Sequence, residues 1–176
     1  MIDISRIAYE HYPLKKVLMH RPEVELAMLN EDTIGYFNFA AVPDIDGFLR
    51  EFDTLVAAFR QMGTEVVLVN DVLKDDAEAR AYISRRANMT YTRDLSLLTP
   101  KGMVLLGMAI DGRKGDPAII GRVCEKLGIP VLEQLEPDGL LEGGGVTYFR
   151  GDTIIAGQCD RANAVGLGKM EAAARA

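Results

Sequence analysis

Two short polar segments about fifty residues apart carry the side chains of this chain best suited to chemistry. The first is Asn88-Met89-Thr90-Tyr91-Thr92-Arg93-Asp94. The second is Leu141-Glu142-Gly143-Gly144-Gly145, followed by Gln158-Cys159-Asp160-Arg161-Ala162-Asn163. Each sets an amide, a carboxylate or an arginine at the edge of an apolar strand, where concave sites are usually built. Carboxylates and arginines in one pocket suit a ligand that is cationic at one end and anionic at the other. A free amino acid with a guanidinium side chain fits that description. The two histidines, His11 and His20, precede both segments, so a complete acid–base catalyst is hard to assemble from the chain.

The elements that must hold these segments read as a repeated unit. Residues 16–20 form a short strand. Across 45–62, apolar Phe48, Phe52, Leu55, Val56 and Phe59 recur at steps of three and four, which predicts an amphipathic helix. Gly63 is its natural stop, and 65–69 (EVVLV) is a buried strand. The pattern then returns: a hairpin of 96–98 with 103–108 around Pro100-Lys101-Gly102, a helix over 117–127 closed by Gly128, and a strand at 129–132. The two helix–Gly–strand junctions lie sixty-five residues apart. A third unit opens with a hairpin, 146–149 with 153–156 turning at Gly151-Asp152. It continues in a helix from about Asn163 through Ala174, with no Gly and strand after it. Repeat architectures need closing units over their last apolar face, so a fragment, a processed chain or half of a split protein is expected, the alternative being a C-terminal helix that simply ends the protein.

Composition narrows the classes. The 176 residues suffice for one domain; 48% are apolar and 26% charged, as in an ordinary globular protein. The net charge of -6 and the lack of any Lys/Arg-rich stretch argue against a nucleic-acid partner. No segment approaches the roughly 20 apolar residues of a membrane span. The start, Met1-Ile2-Asp3-Ile4-Ser5-Arg6, lacks a basic-then-apolar signal layout, so the cytoplasm is the expected compartment. Cys124 and Cys159 give neither a disulfide framework nor metal-ligand spacing.

Asn-x-x-Tyr-Thr-Arg-Asp at 88–94, Leu-Glu-Gly-Gly at 141–144 and Asp-Arg-Ala-Asn at 160–163 resemble the guanidino-modifying superfamily of arginine deiminases, dimethylarginine hydrolases and amidinotransferases. Val17-Leu18-Met19-His20-Arg21-Pro22, with Glu25-Leu26, looks most like arginine deiminase. The resemblance runs from about residue 15 to 170. It implies an α/β fold, a five-bladed propeller of ββαβ-like units (pentein-like). About three blades would lie in this chain, and 1–176 would form one incomplete domain lacking the C-terminal blades. It further implies that Asp94 binds the substrate guanidinium, while Asn88 serves the amino-acid end. Tyr91 packs on the guanidinium plane or in the core. Glu142 would hold the other guanidinium nitrogens and assist proton transfer. Arg161 and Arg113 would clamp the α-carboxylate, with Lys114 an alternative to Arg113. Arg93 reads as structural, and Gly143, Gly144 and Gly145 as letting backbone approach a ligand.

The chain departs from the family pattern at two points. Gly145 stands where family members usually carry an acidic residue. The cysteine nucleophile and the proton-shuttling histidine lie downstream of these motifs in the family. Here His20 reads as structural, Cys124 as core, and Cys159 falls where the family does not place its nucleophile. The expected function is the substrate-binding half of an arginine deiminase-like hydrolase, converting arginine to citrulline and ammonia without metal or organic cofactor. Close variants are an arginine dihydrolase and an amidinotransferase. The other class is a non-catalytic ligand-binding or assembly subunit. Either way a complementary C-terminal chain or a second copy is the expected partner, covering flanks that an open propeller leaves bare.

Overall fold

The computed structural model describes residues 13–150 and 153–175. The described residues divide into two compact units, 13–92 and 93–175. His11 lies outside the described residues.

In the first unit, β1 (Lys16–Met19) and β2 (Glu65–Leu68) pair in parallel from Lys16↔Glu65 to Met19↔Leu68. The crossover contains helix α1 (Ile45–Gln61), which packs on β2. Its buried stripe is narrower than the apolar spacing suggests: Phe52 and Val56 are buried, whereas Leu55 is 46% exposed. The helix stops where Gly63 takes a φ of 78°, a value that costs glycine little, and the Gly63 and Thr64 amides bond back to Arg60 and Phe59. Leu26, Leu29 and Phe37, which precede α1, form a small core with Ala87, and Ile45 and Phe48 of α1 pack against it. A second helix, α2 (Ala77–Ile83), has Asp76 at its N-cap, accepting from the Ala79 amide at 2.9 Å.

In the second unit, β3 (Ser96–Thr99) and β4 (Gly102–Leu105) form the expected hairpin. Helix α3 (Asp116–Leu127) follows, and β5 (Val131–Gln134) returns parallel to β4, giving the order β3-β4-β5 and one complete ββαβ module. The strand begins two residues later than its sequence suggests. Pro130 has no N–H to give a ladder, and its carbonyl instead accepts from the Met103 amide at 2.8 Å. A second hairpin, β6 (Val146–Arg150) with β7 (Thr153–Ala156), leads into α4 (Ala164–Arg175). Its expected turn at Gly151-Asp152 lies outside the described residues. Leu97, Val104, Leu106, Leu135, Leu141, Val146, Met170 and Ala173 make the core that joins both modules. Helices α3 and α4 are each twelve residues long and start forty-eight residues apart. The repeat within this unit is therefore shorter than the sixty-five-residue spacing of the helix–Gly–strand junctions. The segment carrying α2 lies between the first of those junctions and β3. Among the described residues no helix is long and apolar enough to cross a membrane.

Candidate functional site

Asp94 ends a single helical turn (Thr92–Asp94) immediately ahead of β3, and Arg113 ends another (Asp111–Arg113) between β4 and α3. Arg113 Nη1 donates to Asp94 Oδ2 at 2.8 Å. The arginine is 5% exposed and the carboxylate 29%. Glu142 immediately precedes the turn Gly143–Gly145 that leads into β6, and Arg161 lies between β7 and α4. Arg161 Nη1 donates to Glu142 Oε2 at 2.8 Å, with the glutamate 8% exposed and the arginine 34%. Both pairs span nineteen residues. One device thus occurs twice: an acid before a hairpin meets an arginine after it. Its polarity is inverted, because the exposed member is the carboxylate in the first pair and the guanidinium in the second.

Backbone bonds bring the carrying segments together. Gly107 and Leu141 exchange reciprocal N–H···O bonds of 3.2 and 3.0 Å, and Glu142 N donates to Arg161 O at 3.2 Å. Leu141 in turn bridges Ala162. Glu142 Oε1 accepts from the Ala109 amide at 3.0 Å, so its carboxylate is held from two sides. Glu136 performs a similar task, accepting from the Met108 amide at 3.2 Å and the Gly115 amide at 3.0 Å. No motif singles out Glu136 in the sequence. Its role depends on where β5 delivers it.

Arg93 has the structural part expected of it, donating to the carbonyls of Gly143 and Val146 at 2.8 Å each. Gly143 permits a close approach, but to the chain itself, since a Cβ there would run into the Arg93 carbonyl. Gly144 has open space around it. Asn163 is a cap and a clip: its Oδ1 accepts from the Gly166 and Leu140 amides and its Nδ2 donates to Asp138 O. Lys114 pairs with Asp111 at 2.6 Å on the exposed side of the turn, so Arg113 and not Lys114 is the residue on Asp94.

In the first unit Asn88 is 5% exposed; its Nδ2 donates to Phe37 O at 3.1 Å, and its Oδ1 has no hydrogen bond among the described residues. Tyr91 is 43% exposed and is not a core residue. His20 Nε2 meets Glu25 Oε1 at 2.7 Å with both side chains buried. Cys124 is buried in α3, where desolvation pushes its thiol up to about 11, whereas Cys159 is exposed beside the Leu141–Ala162 bridge. Among the described residues no three His, Cys, Asp or Glu side chains converge as metal ligands.

No protein-family model matches the chain. Over 161 residues, 92% of its length, it is 29% identical to an N(G),N(G)-dimethylarginine dimethylaminohydrolase of Streptomyces coelicolor, of which it spans 56%. Among solved structures, 93% of the chain superposes with a TM-score of 0.70 and 19% identity on 58% of a dimethylarginine dimethylaminohydrolase (DDAH) of Pseudomonas aeruginosa. That protein is a cysteine-to-serine mutant solved with citrulline. A DDAH adduct with 4-chloro-2-hydroxymethylpyridine superposes over 92% of the chain with a TM-score of 0.68, again at 19% identity, and the chain covers 56% of it. The α/β architecture is thus that of the propeller-like pentein fold. Together, the sequence relative and the shared fold indicate the guanidino-modifying, or pentein, superfamily.

Proposed function

We propose that this chain is the substrate-binding part of a hydrolase acting on the guanidinium group of arginine or a methylated arginine. The observation that carries the reading is the doubled, inverted pair. Asp94 and Arg161 are the exposed members, so the site offers one carboxylate and one guanidinium to a zwitterion. Asp94 takes the substrate guanidinium and Arg161 its α-carboxylate. Buried Arg113 acts through Asp94, orienting it by the 2.8 Å hydrogen bond. Glu142, once Arg161 turns to the substrate, receives the remaining guanidinium nitrogens and moves a proton. Asn88 and Tyr91 keep, as proposals, the roles that the resemblance gives them.

The chemistry requires a thiolate to attack the guanidinium carbon and expel ammonia or an amine. Water then cleaves the amidino-thiol adduct to the ureido product. Cys124 is buried in the core and exposed Cys159 falls where the family does not place its nucleophile, so this reading assigns the thiolate to the remaining blades of a five-bladed propeller, of which about three are in this chain. Those blades arrive on a complementary polypeptide segment. DDAH relatives carry nearly twice the length matched here, in keeping with this division. The test is citrulline formation from L-arginine and from dimethylarginine, in material whose polypeptides are inventoried by intact mass. Turnover that accompanies a second segment bearing His and Cys supports the reading. A complete set of blades that turns over neither compound overturns it.

A further inference from the structure

The loop that carries Arg113 is tied off by a residue outside both acid–arginine pairs. It runs from the end of β4 to the start of α3, and Met108 and Gly115 stand near its two ends. Glu136 holds both. Its Oε1 accepts from the Met108 amide at 3.2 Å and its Oε2 from the Gly115 amide at 3.0 Å. A carboxylate can span two donors in this way because both of its oxygens accept, whereas an amide side chain offers one. Gly115 makes its bond at a φ of 89°, a backbone conformation that a side chain would strain.

The place of Glu136 is set by its neighbours. Leu135, fully buried, donates its amide to Leu105 O at 3.0 Å, so Glu136 follows directly on the last sheet bond of its segment. Lys169 of α4 donates to Leu135 O at 3.0 Å and fastens the same strand end to a helix. Between the held ends the loop folds on itself, with the Arg113 and Lys114 amides both donating to Ile110 O, at 2.8 and 3.2 Å. Arg113 stands two residues before the Gly115 anchor, and from there its Nη1 reaches Asp94. The amide next to Met108, that of Ala109, belongs to Glu142. Residues of an open loop have conformational entropy to lose each time Arg113 docks, so opening the clasp weakens the Arg113–Asp94 bond.

We infer that Glu136 is a positioning residue for the proposed reaction: it clasps the Met108–Gly115 loop so that Arg113 holds Asp94 in place for the guanidinium. This deepens the proposed function and rests on it for the role of Asp94, while the clasp itself does not. The competing role for Glu136 is support of the fold alone.

The first readout needs no guanidine. In the 176-residue chain, Glu136→Gln should speed water exchange of the Arg113 guanidinium protons and the Gly115 amide by about tenfold or more. The Leu106 and Leu135 amides, bonded to Leu95 and Leu105, should stay slow, which separates a loosened loop from a loosened fold. Unchanged Arg113 protons overturn the inference. The second readout is a double-mutant cycle on kcat/KM for L-arginine in the completed enzyme. Glu136→Gln alone should lower kcat/KM by about tenfold. Added to Arg113→Gln, it should lower it further by less than about twofold, because a residue that acts through Arg113 then has nothing to act through. Losses that multiply give Glu136 a role in the fold alone and overturn the inference. Glu136→Asp, one methylene shorter than the span between the two amides requires, carries the same expectations should Glu136→Gln not fold. A completed enzyme that turns over no guanidine sinks the functional proposal, and Arg113 proton exchange still decides the clasp.

Discussion

Gly143 lies so close to the backbone of Arg93 that a methyl group on its Cα would overlap the Arg93 carbonyl, while the Arg93 side chain reaches the Gly143 carbonyl at 2.8 Å. Asp94 and Glu142 are the chain neighbours of this contact. The glycine therefore sets how near the two acidic residues are carried.

Gly143→Ala should cost about 1–3 kcal/mol through forced displacement of backbone. Gly144→Ala, with nothing within 4 Å, should change stability by less than about 0.5 kcal/mol. Urea unfolding of the two variants checks the contrast, and equal losses would show that the overlap relaxes without cost.

Asp94→Ala and Glu142→Ala should each lower guanidine turnover by about 100-fold or more in the completed enzyme. Arg161→Gln should instead act mainly on KM for substrates bearing an α-carboxylate and little on agmatine, which lacks one. Steady-state kinetics on L-arginine and agmatine separates these outcomes. Near-normal activity of either alanine variant would remove the site assignment.

The His20–Glu25 pair is structural and should behave as a unit. His20→Leu or Glu25→Leu alone leaves a buried polar partner unmatched and should cost about 1–3 kcal/mol. The double variant should cost clearly less than the sum. A double-mutant cycle by chemical denaturation measures the coupling, and additive losses would sink the pairing argument.

Iodoacetamide should label Cys159 in the native chain and Cys124 only after unfolding, as read by peptide mass spectrometry. The pH dependence follows from the raised Cys124 thiol. The folded state holds that proton more tightly than the unfolded state, whose value is 9.0. Its contribution is complete below pH 9.0 and is lost as pH rises toward about 11. Cys124→Ser should remove this alkaline component of the stability profile.

Much of the scaffold was legible because its elements are bounded by chemistry visible in the sequence. The stripe of α1 and its Gly63 stop gave that helix to within a residue, and Gly128 did the same for α3. The hairpin of β3 and β4 was legible, but 103–108 was read too long. Leu106 N still bonds to Leu95 O in the hairpin's register, and from Gly107 the chain leaves the ladder to pair with Leu141. Helix α2 was missed because seven residues are too few for a periodic signal, although Asp76 marks its start. At the site, residue types pointed to Asp94, Glu142, Arg113 and Arg161, but not to their pairing. Which member of each pair is buried depends on packing at positions nineteen residues apart, and no local pattern encodes that.

The segments that carry the site are tied largely through main-chain atoms: Gly107 to Leu141, Glu142 to Arg161, Met103 to Pro130 and Leu106 to Leu95. Peptide groups are common to every residue type. Drift in evolution can therefore rewrite most side chains around this frame without moving the four charged groups hung on it. A chain and a DDAH can share 19% of their residues and still superpose with a TM-score of 0.70. Diversification of such a frame is then expected to proceed at the few positions whose side chains meet the ligand, and conservation to fall on glycines such as Gly143 that let peptide groups touch.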